Sequence, residues 1–182
     1  YHQKNLVLLY LLQLIHQNQS AKFLLANNFG GDKIHWRDRF KLIEEKFDSF
    51  KYFQKSDTIK SLDIAEEEIV KRKNDEEECK TNFYLIILNL DSSFLKQGFS
   101  ISEASKKLIN ILKQGPDLGV HTLIYTYSSK SVINSGIEPE LFENKILLKG
   151  DSSEIIRINE GRKEPTKAKM AYLYAPTPVT TL

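Results

Sequence analysis

The chain has 182 residues, enough for one domain with a single well-buried core. Its 41% hydrophobic and 27% charged residues are the composition of an ordinary soluble globular protein. The 26 basic and 24 acidic residues leave a net charge of +2, too little to demand nucleic acid as a partner and too mixed to exclude it. The one cysteine, Cys79, rules out an internal disulfide, and no Cys/His cluster has zinc-site spacing, so a reducing, cytoplasmic home is expected. Because the chain opens on Tyr1 rather than Met, the expectation is a single domain, residues 1–182, cut from a larger protein.

Lys4, the apolar run Leu6–Ile15 and then Ser20-Ala21 admit two readings: a signal peptide, or a buried helix feeding a strand. The run is too short to span a membrane, and no membrane contact is expected. As a helix, Asn5–Gln17 has apolar residues on every face and should be covered on most sides. The run 21–27 reads as a strand ending in "NNFGGD", a loop signal in which Gly30 and Gly31 serve either a turn or an anion cradle. Trp36, Phe40, Ile43 and Phe47 share one face of a helix over 35–47, and "FKYF" is a short strand candidate. Asp57 should cap a helix through about Lys73 that turns Ile59, Leu62, Ala65, Ile69 and Val70 inward. Glu67 and Glu68 stand four residues before Lys71 and Arg72, which reads as a solvated face of ion pairs.

"NFYLIILNLD" (82–91) is apolar on both faces and reads as a central strand. The next helix has a serine cap, a stripe of Ala104, Leu108, Ile109 and Leu112, and a stop at Gly115. "GPDLGVHTLIYTYSS" supplies a turn and the strand His121–Tyr127. Further strands are expected at 144–150 and 169–176, with a short helix between them opened by the pair Asp151 and Glu154. Strands alternating with helices at this spacing predict an α/β fold with a mainly parallel central sheet between helical layers. That sheet should contain 22–27, 83–89, 121–127 and 144–149, with 83–89 beside 121–127 in the interior.

The order of these landmarks is similar to the RecA-like motor domain of FtsK/SpoIIIE-type DNA translocases, over nearly the whole chain. A Lys-polar pair opens an apolar helix, one strand ends in "NNFGGD", another in "LNLD", and "GPDLGVHTLIYTYSS" and "GDSSEIIRI" follow. The resemblance implies a three-layer RecA-like P-loop NTPase fold, closest to degenerate domains near the carboxyl end of larger ATPase-like proteins. It places Lys4 and Asn5 where Lys and Ser/Thr would grip phosphate and magnesium, without the preceding glycines. It sets Asn27 and Asn28 in place of Asp-Pro, and Asn89 and Leu90 in place of the Walker B Asp-Glu. Pro116 stands in place of an Arg and Tyr127 in place of a Gln.

An amide cannot supply the carboxylate that holds magnesium, so the nucleotide-binding set Lys4, Asn5, Asn89 and Tyr127 is read as degenerate, with no catalytic residue and no metal. No cofactor is expected. ATP and Mg belong to the alternative, an active translocase whose glycine-rich loop lies upstream of Tyr1. A third reading is a nucleotide- or DNA-binding module without turnover. Asp91 either reaches a metal through a shifted loop, caps "SSF" or faces solvent, and His121 reads as a structural, hydrogen-bonded histidine. The expected partners are other domains or subunits of a larger ATPase assembly. The basic stretch Arg157–Lys169 is a solvated connection or a sequence-blind contact to double-stranded DNA through Arg162, Lys163 and Lys167.

Overall fold

The computed structural model describes residues 2–29, 34–75, 81–96, 98–126, 129–142, 144–147 and 172–174. The elements are α1 (His2–Gln17), β1 (Lys22–Asn27), α2 (Ile34–Lys46), β2 (Phe50–Gln54), α3 (Thr58–Asn74) and β3 (Phe83–Leu88). There follow α4 (Glu103–Gln114), β4 (Val120–Tyr125), α5 (Ser129–Ser135), β5 (Lys145–Leu147) and β6 (Tyr172–Tyr174).

Four strands form an all-parallel sheet in the order β2-β1-β3-β4. Leu25 lies opposite Tyr52 on one side and Ile86 on the other, and Ile86 lies opposite Leu123. Alternate side chains serve the two faces. Leu24, Leu85, Ile87 and Val120 pack with Leu62, Ala65 and Ile69 of α3 and with Ala104, Leu108 and Ile111 of α4. Phe23, Leu25, Ile86 and Leu88 pack with Leu11 and Ile15 of α1 and with Phe40 and Ile43 of α2. Helices thus cover both faces, which is why β1 and β3 read as unbroken apolar runs. The expected strands 22–27, 83–89 and 121–127 correspond to β1, β3 and β4 of this sheet, the last two ending at Leu88 and Tyr125, with β3 beside β4. "FKYF" joins it as β2 at one edge.

Of the expected strand 144–149, residues 145–147 form β5, which pairs antiparallel with β6, Ile146 opposite Leu173, instead of joining the parallel sheet. A three-residue apolar run carries no period that would select its partner. Residues 148 and 149 lie outside the described residues, as do Asp151 and Glu154.

The helices correct several expectations. Among the described side chains of α1, Leu11 and Ile15 are buried, and Leu8 and Leu14 pack partly buried against the same core. Leu9, Tyr10 and Leu12 are exposed, so this part of the helix is covered on one side rather than most. Phe47 follows the end of α2 and is exposed. In α3 the buried stripe is Thr58, Ser61, Leu62, Ala65, Ile69 and Arg72, leaving Ile59 and Val70 outside. Asp57 precedes α3 but makes no cap hydrogen bond. Its carboxylate instead takes Lys60 Nζ at 2.6 Å and Ser56 Oγ at 3.0 Å, and these two donors hold its pKa below the ordinary carboxylate value. Ser102 does cap α4, accepting from the Ser105 N–H at 3.2 Å.

Arg72 overturns the reading of its stretch as a solvated face. It is 1% exposed, pairs with Glu68 at 2.9 Å, and donates from one guanidinium nitrogen to the carbonyls of Leu118 (2.8 Å) and Gly119 (3.3 Å). The Gly-Pro turn is therefore the anchor between α3, α4 and the start of β4. Gly115 is demanded there by close approach, since a Cβ would stand 2.6 Å from the Val120 carbonyl oxygen and 2.7 Å from that of Ile111. Gly119 holds φ +69°, a conformation that favours glycine.

Candidate functional site at the carboxyl edge of the sheet

Parallel strands deliver all four carboxyl ends to one edge. From β1 the chain crosses outward to β2, and from β3 it crosses the other way to β4, so strand order reverses between β1 and β3. The crevice beyond the carboxyl ends at such a reversal is where open α/β sheets place their ligands.

Here the crevice is filled by the chain's own polar groups. Asn89 follows β3 with φ +71°, the single non-glycine residue of positive φ among the described residues. Asparagine tolerates that conformation better than branched side chains do. Its N–H donates to the Tyr125 carbonyl at 2.6 Å, and its own carbonyl accepts from Asn28 Nδ2 at 2.9 Å. Asn28 is 1% exposed; its N–H donates to Leu88 O at 2.9 Å, and its Oδ1 accepts from the Thr58 hydroxyl. Thr58 Oγ1 also lies 3.1 Å from the Lys55 carbonyl. Asn27, also buried, donates to the Tyr52 hydroxyl at 3.3 Å and accepts from the Phe29 N–H at 3.2 Å. Burial raises the Tyr52 pKa against the opposing effect of the Asn27 hydrogen bond.

One carboxylate faces this edge beside the asparagines. Asp91 caps the 3-10 turn Ser92–Phe94 through the Ser93 N–H at 3.0 Å and the Ser93 hydroxyl, and pairs with Lys55 Nζ at 3.1 Å. The capping alternative for Asp91 is the one observed, with the side chain tucked in rather than turned to solvent. Gln54, Lys55, Ser56, Asp91, Ser92 and Ser93 line an open depression of about 610 Å³. A carboxylate with these three donors is already satisfied, and the asparagine amides are spent on tying one connection to the next. The arrangement is suited to fixing the edge in one conformation.

Of the residues singled out in the sequence, Lys4 and Asn5 lie in the first turns of α1. Leu90 is buried in the core. Pro116 opens the 3-10 turn Pro116–Leu118 ahead of β4, so it sits at the amino edge, a strand's length of roughly 20 Å from Asn89. The structure does not bring these two together. His121 Nε2 lies 3.3 Å from Asn82 Oδ1 and its ring centroid 5.3 Å from that of Tyr84, in keeping with a structural histidine. Tyr127, Gly30, Gly31, Arg157, Arg162, Lys163, Lys167 and Lys169 lie outside the described residues. Among the described residues, no group of three or more His, Cys, Asp or Glu is placed to hold a metal ion, and no helix is long and apolar enough to cross a membrane.

Sequence reasoning missed Thr58 and Lys55. Neither belongs to a motif, and each acquires its role from a partner more than 25 residues away. Compared with known proteins, the chain matches no family model, no curated protein and no solved structure.

Proposed function

We propose that the chain is a RecA-like α/β domain of FtsK/SpoIIIE type that no longer hydrolyses ATP and acts as a structural or regulatory module of a larger ATPase-like assembly. The order of motifs along the chain supports this, as does a parallel sheet in which the strand ending at Leu88 lies beside the one ending at Tyr125. The observation that carries the reading is the state of Asn89. A phosphoryl-transfer site needs a free carboxylate there to hold magnesium. This chain offers a neutral amide, on a backbone whose N–H and carbonyl are both engaged by Tyr125 and Asn28.

The test is steady-state phosphate release from Mg-ATP, with and without duplex DNA. The expected result is release at the buffer background for the wild type and for Asn89→Asp alike, because Tyr127 also lacks the amide that the reaction uses. Wild-type release above background overturns the reading in favour of an active translocase.

A further inference from the structure

Lys55 follows β2 and Asp91 follows β3, and β1 lies between those strands. Their 3.1 Å ion pair therefore passes over the carboxyl end of β1, above the buried Asn28 and Thr58. The partners are unequal. Asp91 has a side chain only 7% exposed and is held from its own turn by Ser93, whereas the Lys55 side chain is 52% exposed on a flexible stem. Asp91 is the fixed post, and Lys55 is the part that can leave. Lys55 is also tied inward, through its carbonyl and the Thr58 hydroxyl, to Asn28 and so to the Asn89 carbonyl.

We propose that the Lys55–Asp91 pair is a salt-sensitive strap across the crevice between β1 and β3, and that its release loosens the carboxyl edge locally while the sheet stays folded. An ion pair with one solvated partner is weakened by screening, which reaches down to about 3 Å in 1 M salt. Release leaves Asp91 with hydrogen bonds from its own turn alone, so the connections after β2 and β3 lose their direct tie. The inference stands on the geometry of the edge and not on the nucleotide reading; the phosphate-release assay can fail without touching it.

The test is residue-resolved amide hydrogen exchange on wild type, Lys55→Met and Lys55→Arg, at low salt and at about 1 M salt. The reporters are the Asn28 N–H, bonded to Leu88 O, and the Asn89 N–H, bonded to Tyr125 O, with the Phe83 and Leu85 amides, away from the carboxyl end of β3, as references. Lys55→Met should speed exchange at the two reporters roughly fivefold at low salt, the scale of a pair of this kind. The reference amides should keep their protection. Salt should speed the reporters in the wild type but no longer in Lys55→Met, and Lys55→Arg should restore wild-type behaviour. Wild-type protection in Lys55→Met, a salt response that survives the substitution, or equal acceleration of reporters and references would each overturn the proposal.

Discussion

The side-chain amide of Asn28 donates to the backbone carbonyl of Asn89 at 2.9 Å, joining the ends of two neighbouring parallel strands. The bond turns the loop after β1 and the loop after β3 into one unit, and the Thr58 hydroxyl extends it to the start of α3. Asn28→Ala leaves the Asn89 carbonyl short of a partner and the Thr58 hydroxyl with the Lys55 carbonyl alone, which costs about 1–3 kcal/mol. Asn28→Asp should cost at least as much, because a carboxylate cannot donate to that carbonyl. Urea unfolding of both variants against wild type checks this; unchanged midpoints would mean that the bond contributes nothing.

Arg72 and Glu68 form the buried counterpart at the opposite edge. Arg72→Met removes a cation that serves Glu68 and two carbonyls together, and should destabilise by about 3–5 kcal/mol, as for other broken buried pairs. The double variant Arg72→Met/Glu68→Gln should recover part of that loss. A double-mutant cycle in urea provides the measurement, and strictly additive losses would argue against a coupled pair.

Gly115→Ala places a methyl group against two backbone oxygens that have no room to move, one in α4 and one opening β4. The expected cost is about 1–3 kcal/mol, from overpacking. Gly98→Ala meets no atom within 4 Å and should cost only the strain of its positive φ. Thermal melts of the two variants should therefore separate, with Gly115→Ala the lower.

Two tyrosines predict the behaviour in alkali. Burial raises the pKa of Tyr52 and of Tyr84, with hydrogen bonds from Asn27 and Asn82 opposing it in turn. A raised folded-state pKa means that the native chain holds the phenolic proton more tightly than the unfolded one. That stability is fully present below the unfolded tyrosine value, about pH 10, and is lost as pH rises through the folded value. The melting temperature should fall above about pH 10, and Tyr52→Phe and Tyr84→Phe should each flatten the fall. A fall of equal steepness in both variants would assign it to other groups.

If the basic stretch contacts duplex DNA rather than serving as a solvated connection, the binding should be weak, sequence-blind and steeply weakened by salt. Fluorescence anisotropy on wild type and on Arg162→Ala/Lys163→Ala/Lys167→Ala checks it. Binding unchanged in the triple variant would place any DNA contact elsewhere.

The parts of the fold that could be read from the sequence are those where the local pattern and the tertiary environment agree. "FLLA" within β1 and "FYLIIL" in β3 are apolar runs because each is covered on two faces, so both could be read as strands and the second as a central one. The inward stripe of α3 was harder, because two apolar residues, Ile59 and Val70, compete with Thr58 and Arg72 for it. The winner at the far end is a cation whose carbonyl partners come 46 residues later, on backbone atoms that no side-chain pattern announces. The carboxyl edge has the same character. Asn28 and Asn89 could be picked out as departures from a motor's chemistry, yet their bond to each other depends on the two strands lying side by side. Lys55 and Asp91 are ordinary surface-type residues until the chain has folded back over β1.

The parallel strand order also governs how the molecule is made. The sheet contains no hairpin: each pairing joins strands separated by at least a helix, and Asn28 waits for Asn89 across 61 residues. On a ribosome, β1 emerges as a bare apolar segment well before the strand that will cover its inner side. Such long-range closures are slow and leave sticky intermediates. Early in its life, then, this chain should depend on chaperones that shield "KFLLAN" until "FYLIIL" arrives.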